Sequence, residues 1–375
     1  MTLSQLADDP HPVLARLRAR EPVSWLPALG GWLVTRRDAA LKVMRDPTAF
    51  TVDDPRFSTA RVVGPSMLSL DGAEHARHRE PFDHLFRLPE ARARFMAFVE
   101  AETDRLIAEM EPAGTAELRR SLAGPLAVAV VAEALGLDDA DAATVLSWYD
   151  AIVGAVSDLA AGGDVNTAGI EAFGMLRRSV EATIARRRPS SLLVAASGPA
   201  RDHAGGLSTA EVVSNAAVLM FGGIETTEGM IANAVLHLLG HPDQLARVRS
   251  HPELVPNAVE ESLRLEPAAA VVDRYATRDV ELGGATIRRG DLVTVSIAGA
   301  NRDPAVFPQP DRFDAGRGNA RLHVAFAHGP HVCLGMHLAR IEAQAAIRGL
   351  LDRLPGLRLD PQRPSAPYGL VFRKP

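Results

Sequence analysis

The sequence has 375 residues, 47% apolar and 23% charged, with a net charge of −5. Such a chain can bury a large core, and its acidic balance gives no basic footprint for nucleic acid. Its single cysteine, Cys333, excludes an internal disulfide and leaves a zinc site in need of three other ligands.

From the N-terminus, Met1–Leu26 carries charges every few residues and no apolar run suited to a signal peptide or membrane span. The expected location is therefore the cytoplasm. Glu21–Arg36 (EPVSWLPALGGWLVTR) reads as two short strands joined through Gly30 and Gly31. Helical periodicity then dominates, as in Ala91–Met110, and Ser197–Gly206 (SGPARDHAGG) reads as a loop. Next comes Leu207–Pro242. Here Ser208 and Glu211 form a capping box, with Leu207 and Val212 as its hydrophobic staple. The spacing predicts one helix through Leu239, with Gly240 as its C-cap and Pro242 as the stop. At about 1.5 Å per residue it is about 45 Å long, and its polar residues are too frequent for a bilayer span.

The middle of that helix is written against helicity. Gly222-Gly223 costs about 2 kcal/mol relative to two alanines. Thr226-Thr227 adds β-branching and a hydroxyl able to bond back to a preceding carbonyl. Two readings stand: a locally opened turn carrying Glu225 and Thr226, or a close helix crossing that uses the glycines. Further on, Asp279–Ile287 (DVELGGATI) predicts a hairpin turning at Gly283-Gly284. Gly356–Pro375 reads as extended chain interrupted by prolines. The whole is mostly α with small β-sheets, in one unit.

Cys333 lies in Phe326–Gln344, FAHGPHVCLGMHLARIEAQ. It precedes an apolar stripe at Leu334, Leu338, Ile341 and Ala345, so it stands where a helix begins. A lone cysteine is commonly a small buried apolar side chain. A helix start, however, offers free N–H groups and a positive dipole end that favour thiolate. Gly329 permits a tight turn before it and Gly335 removes bulk after it. The setting suits a nucleophile or an axial metal ligand. His328, His331 and His337 leave a cysteine–histidine hydrolase conceivable, although no oxyanion site is evident.

Phe326-x-x-Gly329-x-x-x-Cys333-x-Gly335, followed by Leu338-Ala339-Arg340, resembles the haem-binding loop of the cytochromes P-450. Other motifs agree in order along most of the chain. His75-x-x-x-Arg79 is similar to the family's propionate-binding pattern. Gly222–Thr227 resembles its oxygen-activating segment, Glu261-x-x-Arg264 its ExxR element, and Asp311-Arg312-Phe313 the later arginine partner. Arg274 and His331 fall where bacterial members also hold propionates. Ala327 stands where glycine is common, and Glu225 where aspartate is.

The resemblance implies a cytochrome P-450 fold forming one haem domain over residues 1–375, with haem between the long central helix and the helix after the cysteine loop. It implies haem b ligated by Cys333, with Phe326, Gly329, Gly335 and Gly222 shaping its site. His75, Arg79, Arg274 and His331 would neutralise the propionates. Glu225 and Thr226 would deliver protons, while Glu261, Arg264 and Arg312 would form a buried structural cluster. The implied activity is monooxygenation with O2, electrons coming from a ferredoxin and ferredoxin reductase that dock at Arg77, Arg87 and Arg340. Val52–Leu68, Ala268–Val272 and Tyr368–Val371 would line the pocket of a bulky apolar guest, with Arg56 and Arg61 as anchors for any carboxylate. A peroxide-driven peroxygenase and a non-catalytic haem sensor are the alternative readings.

Overall fold

The computed structural model describes residues 2–160, 164, 166–187, 191–197 and 206–375. The expected loop at Ser197–Gly206 lies, from 198 to 205, outside the described residues. Helices predominate, and the strands are β1 (Val23–Leu26), β2 (Gly31–Val34), β3 (Phe50–Thr51), β4 (Val271–Ala276), β5 (Val280–Leu282), β6 (Ala285–Ile287) and β7 (Leu292–Ser296). Five of them form a sheet in the order β1-β2-β7-β4-β3, in which β2 and β7 run parallel and the other pairs antiparallel. β5 and β6 make the expected hairpin. Gly283 and Gly284 both take positive φ (58° and 86°), the type I′ geometry that a two-residue turn demands.

Apolar faces sort into a large helical core that includes Phe82, Phe95, Leu126, Val212, Ile231 and Ile347. A second core under the sheet includes Val43, Phe50, Ile287, Val293 and Val295. Ala325, at the mouth of the cysteine loop, packs against both, so the loop is mounted where the two cores meet. The helix Leu88–Met110 and the central helix both pack on the cysteine helix, Met336–Arg353. Among the described residues, no helix is long and apolar enough to cross a membrane.

Gly240 is the last helical residue and not the C-cap. His241 caps in its place (φ −127°), because Pro242 opens the next helix and no left-handed residue is needed between them.

Candidate functional site

Ser208 Oγ accepts from the Glu211 N–H and the Glu211 carboxylate accepts from the Ser208 N–H, so the capping box fixes where the central helix starts. The helix runs Thr209–Gly223, breaks at Ile224 (φ −85°, ψ −71°) and resumes as Glu225–Gly240. The Thr226 hydroxyl donates back to the Gly222 carbonyl across the break. The two glycines answer separately to the two sequence readings. A Cβ on Gly223 would lie 2.4 Å from Val131 Cγ2, so this residue permits a close helix crossing. A Cβ on Gly222 would meet nothing within 4 Å; this residue faces open space. Glu225 is not paired with Thr226. Its Oε2 accepts from the Tyr149 hydroxyl at 2.7 Å and Lys374 Nζ stands 3.2 Å from Oε1.

The Cys333 N–H donates to the Phe326 carbonyl at 2.8 Å, closing the loop. Gly329 holds φ +77°, and a Cβ there would lie 2.3 Å from the Met44 carbonyl oxygen. Ala327 holds φ +57°, a conformation that strains an L-residue by about 1–2 kcal/mol. Ala327→Gly is expected to stabilise the protein by about 0.5–1 kcal/mol after the added unfolded-chain entropy. A rise in thermal midpoint with unchanged haem content checks this, and a fall contradicts it.

The helix after Cys333 begins only at Met336, so the helix end holds the sulfur less directly than the stripe suggests. Burial pushes the thiol up, against the pull of the Gly335 N–H, Arg79 and Arg340. A bound cation, which deprotonates a coordinating thiol outright, acts in the same direction as those three groups.

Phe326 lies under the Arg340 guanidinium, whose carbon is 4.4 Å from the ring centroid. Arg340 pairs with Glu260 through Nε (2.6 Å) and Nη2 (3.0 Å), and His323 Nε2 reaches the same carboxylate at 2.9 Å. Burial opposes ionisation of Glu260, yet His323 and Arg340 bring it to about 2, below its ordinary 4.5. A depressed carboxylate stabilises the fold above pH 4.5 and loses that contribution as pH falls through about 2. Acid unfolding of Glu260→Gln, followed by far-UV circular dichroism, is expected to depend less steeply on pH across that window than wild type. Equal slopes would show that the pairing does not stabilise the fold.

His75, on the helix Gly72–Asp83, lies against His331 with ring centroids 4.3 Å apart and planes tilted by 49°. His331 Nε2 is 2.8 Å from Asp71 Oδ1. Burial resists ionisation of Asp71, but His331, Thr51 and the Val52 N–H hold it at about 2. His75 Nε2 is buried without a partner, and burial, then His331 and Arg79, lowers this imidazole to about 4. Arg274, on β4, is buried and donates to the Asp273 carbonyl at 2.7 Å. Among the described residues no carboxylate lies within ion-pair distance of it. Arg79 is half-buried, 3.4 Å from Asp83. A buried guanidinium and an orphaned imidazole nitrogen, with glycines 222 and 335 both facing open space, fit a haem that brings its own carboxylates.

The buried cluster is built differently from the sequence expectation. Glu261 and Arg264, on the helix Val255–Leu265, are fully buried and bidentate (2.7 and 2.9 Å). The third charge is Arg317, with Nε 2.9 Å from Glu261 Oε1. Arg312 is exposed and offers only its carbonyl, to Arg264 and Arg317. The loop turns between them, so the later guanidinium reaches inward.

Other expectations also change. Arg77 is engaged by Glu74 and Glu211 and Arg340 by Glu260, while Arg87 is exposed, 3.8 Å from Asp83. Arg56 pairs with Asp54 at 2.8 Å and lies over Tyr275, while Arg61 is exposed. Ala270, Val271, Leu370 and Val371 line an apolar cavity together with Leu6 and Leu14 from the N-terminal helices. Tyr149, Arg317 and Lys374 were not picked out by the sequence reading. Lys374 alone carried a signal, as one of two lysines among 41 basic residues.

The cytochrome P450 family model matches residues 175–364. The cytochrome P450 monooxygenase PikC of Streptomyces venezuelae is 38% identical over 367 residues, covering 94% of this chain and 86% of the relative. The solved structure of PksS, the bacillaene polyketide synthase cytochrome P450 of Bacillus subtilis, aligns at TM-score 0.88 and 27% identity, covering 99% of this chain and 96% of that one. P450BioI, solved with acyl carrier protein ligated to hexadec-9Z-enoic acid, aligns at TM-score 0.87 and 28% identity, covering 99% and 97%. The chain belongs to the cytochrome P450 family. It is accordingly a monooxygenase, an oxidoreductase whose family uses thiolate-ligated haem, dioxygen and a redox partner.

Proposed function

We propose that residues 1–375 act as one haem b domain, ligated by Cys333, that inserts one atom of dioxygen into a bulky apolar small molecule. Its electrons come from a ferredoxin and ferredoxin reductase in the cytoplasm. The observation that carries this reading is the buried, unpartnered His75 Nε2 and the buried Arg274, which among the described residues has no carboxylate within ion-pair distance, in a chain with one thiol. The haem, when bound, supplies dioxygen activation. This chain's residues do the rest. The Gly335 N–H bonds the cysteine sulfur, and Phe326, pinned by Arg340, keeps that side dry. Arg79 and Arg274 would neutralise the propionates, and His75 Nε2, with the ring nitrogen of His331 that Asp71 leaves free, would hydrogen-bond them. Gly329 sets the loop, and Gly222 would leave room for the cofactor. Thr226 and Glu225, at the start of the second half-helix, hold water and pass protons inward. Small aliphatic residues at 268–272 and 370–371 favour an apolar guest. A polyketide or carrier-bound acyl chain is the class that the names of PksS and the P450BioI complex support.

Thr226→Ala tests the reading. With a guest that shifts the Soret band, chosen from a panel of polyketides and fatty acids, this variant is expected to keep haem and guest affinity while sending severalfold more NADPH-derived electrons to peroxide. An unchanged product-to-NADPH ratio would remove Thr226 from proton delivery.

A further inference from the structure

A carboxylate without a cation lines a cavity on the face of the five-stranded sheet turned away from Arg274. In the pairing of β2, β7 and β4, Leu33 lies opposite Thr294 and Thr294 opposite Asp273, so the three side chains share one face. Arg274 pairs with Val293 on the other face, where Val293 joins the second core. Leu6 and Leu14, on the helices Leu3–Asp8 and His11–Arg20, and Pro10 between them line the same cavity from the N-terminal side. Its volume is about 100 Å3, against the roughly 10–15 Å3 that admits one water.

Thr294 Oγ1 donates to Asp273 Oδ1 at 2.6 Å. Among the described residues, Oδ2 has no hydrogen-bond partner and no cationic group stands within ion-pair distance of the carboxylate. The other charged residue of the lining, Arg373, is committed to Glu266 and to the carbonyls of Ala7, Asp8, Pro367 and Gly369. Asp273 is accessible to water, yet crowding by protein atoms pushes its carboxyl up, against the pull of Thr294 and Arg274. A charge that can be reached but is poorly solvated gains most from a cation brought to it. The lining also selects the cation. A primary ammonium carries three N–H groups, each in need of an acceptor, and a metal ion asks for several oxygens. The side chains here offer one free carboxylate oxygen among leucines. A tertiary ammonium has one N–H for that oxygen and alkyl groups for the apolar wall, so it leaves no donor unpaired.

We propose that this cavity is a binding site for the tertiary-ammonium head of an apolar amine. Asp273 accepts from its N–H, and Leu6, Leu14 and Leu33 surround its alkyl groups. Occupation ties the two N-terminal helices to the sheet.

The test uses the holoprotein, reduced and carbon monoxide-bound so that no amine can ligate the iron. The probe is N,N-dimethyloctylamine, protonated at neutral pH, and the control is octyldimethylcarbinol, its uncharged counterpart in shape. In calorimetric titrations the amine is expected to bind Asp273→Asn about tenfold more weakly than wild type, with the alcohol unaffected. Asparagine keeps the size of the side chain and an acceptor for Thr294, and the carbon monoxide band reports that the variant is folded. Equal affinity of the amine for the two proteins overturns the proposal. So does an equal loss for the alcohol, which would mean that the substitution had deformed the cavity and that charge plays no part. A second readout follows from linkage. Saturating amine is expected to raise the thermal midpoint of the wild type and not that of Asp273→Asn. A rise of the same size in both would place the amine at another site and overturn the assignment.

Discussion

Cys333→Ser is expected to abolish the strongly red-shifted Soret band of the reduced, carbon monoxide-treated protein. The physical reason is that Cys333 is the only side chain of the loop Phe326–Gly335 able to give a metal an anionic ligand. Burial opposes charge on this side chain, and the groups that favour the anion are one N–H, from Gly335, and two more distant guanidinium groups. A thiol with a solution value near 8.5 ionises when a cation binds it, whereas a buried hydroxyl does not follow. Haem held through His75 and Arg274 alone would keep its carboxylate contacts and lose its axial anion, so pigment could remain while the band moves. Retention of the wild-type band in the serine variant would place the ligand elsewhere and undo the assignment.

Removing Arg317 should be far more damaging than removing Arg312, although the sequence motif draws attention to the latter. Arg317 supplies one of two guanidinium groups to a fully buried carboxylate. Arg317→Leu leaves that charge under-compensated, at about 3–5 kcal/mol. Arg312→Ala removes an exposed side chain and is expected to stay within about 0.5 kcal/mol. Half-denaturation temperatures of the two holoproteins, with the carbon monoxide band as the reporter of intact loop, make the comparison. Equal losses would mean that the inward-reaching arginine has been misassigned.

What could be read from the sequence was what depends on short spacing. Ser208 and Glu211 are three apart, so their reciprocal cap was visible before any fold was known, as were the paired glycines of the β5–β6 turn. The cysteine loop could be placed for the same reason. Partners supplied by distant chain were not visible. Arg77 and Arg340 look like free surface charges until Glu211 and Glu260 arrive from other helices. Arg317 was missed because reach from an irregular loop follows the path of the backbone and has no period. The thiol of Cys333 was expected to ionise more easily from its helix start alone. Desolvation by the surrounding fold acts in the opposite direction and is invisible locally.

The adjacent glycines at the helix break also bear on how the protein could be re-engineered. Position 223 is locked, since any side chain there drives into Val131. At position 222 an added methyl displaces no neighbour, and replacing a helical glycine gains about 1 kcal/mol of propensity. Consecutive residues thus differ in what they tolerate, and a graded series of side chains at 222 can be introduced on an unchanged scaffold.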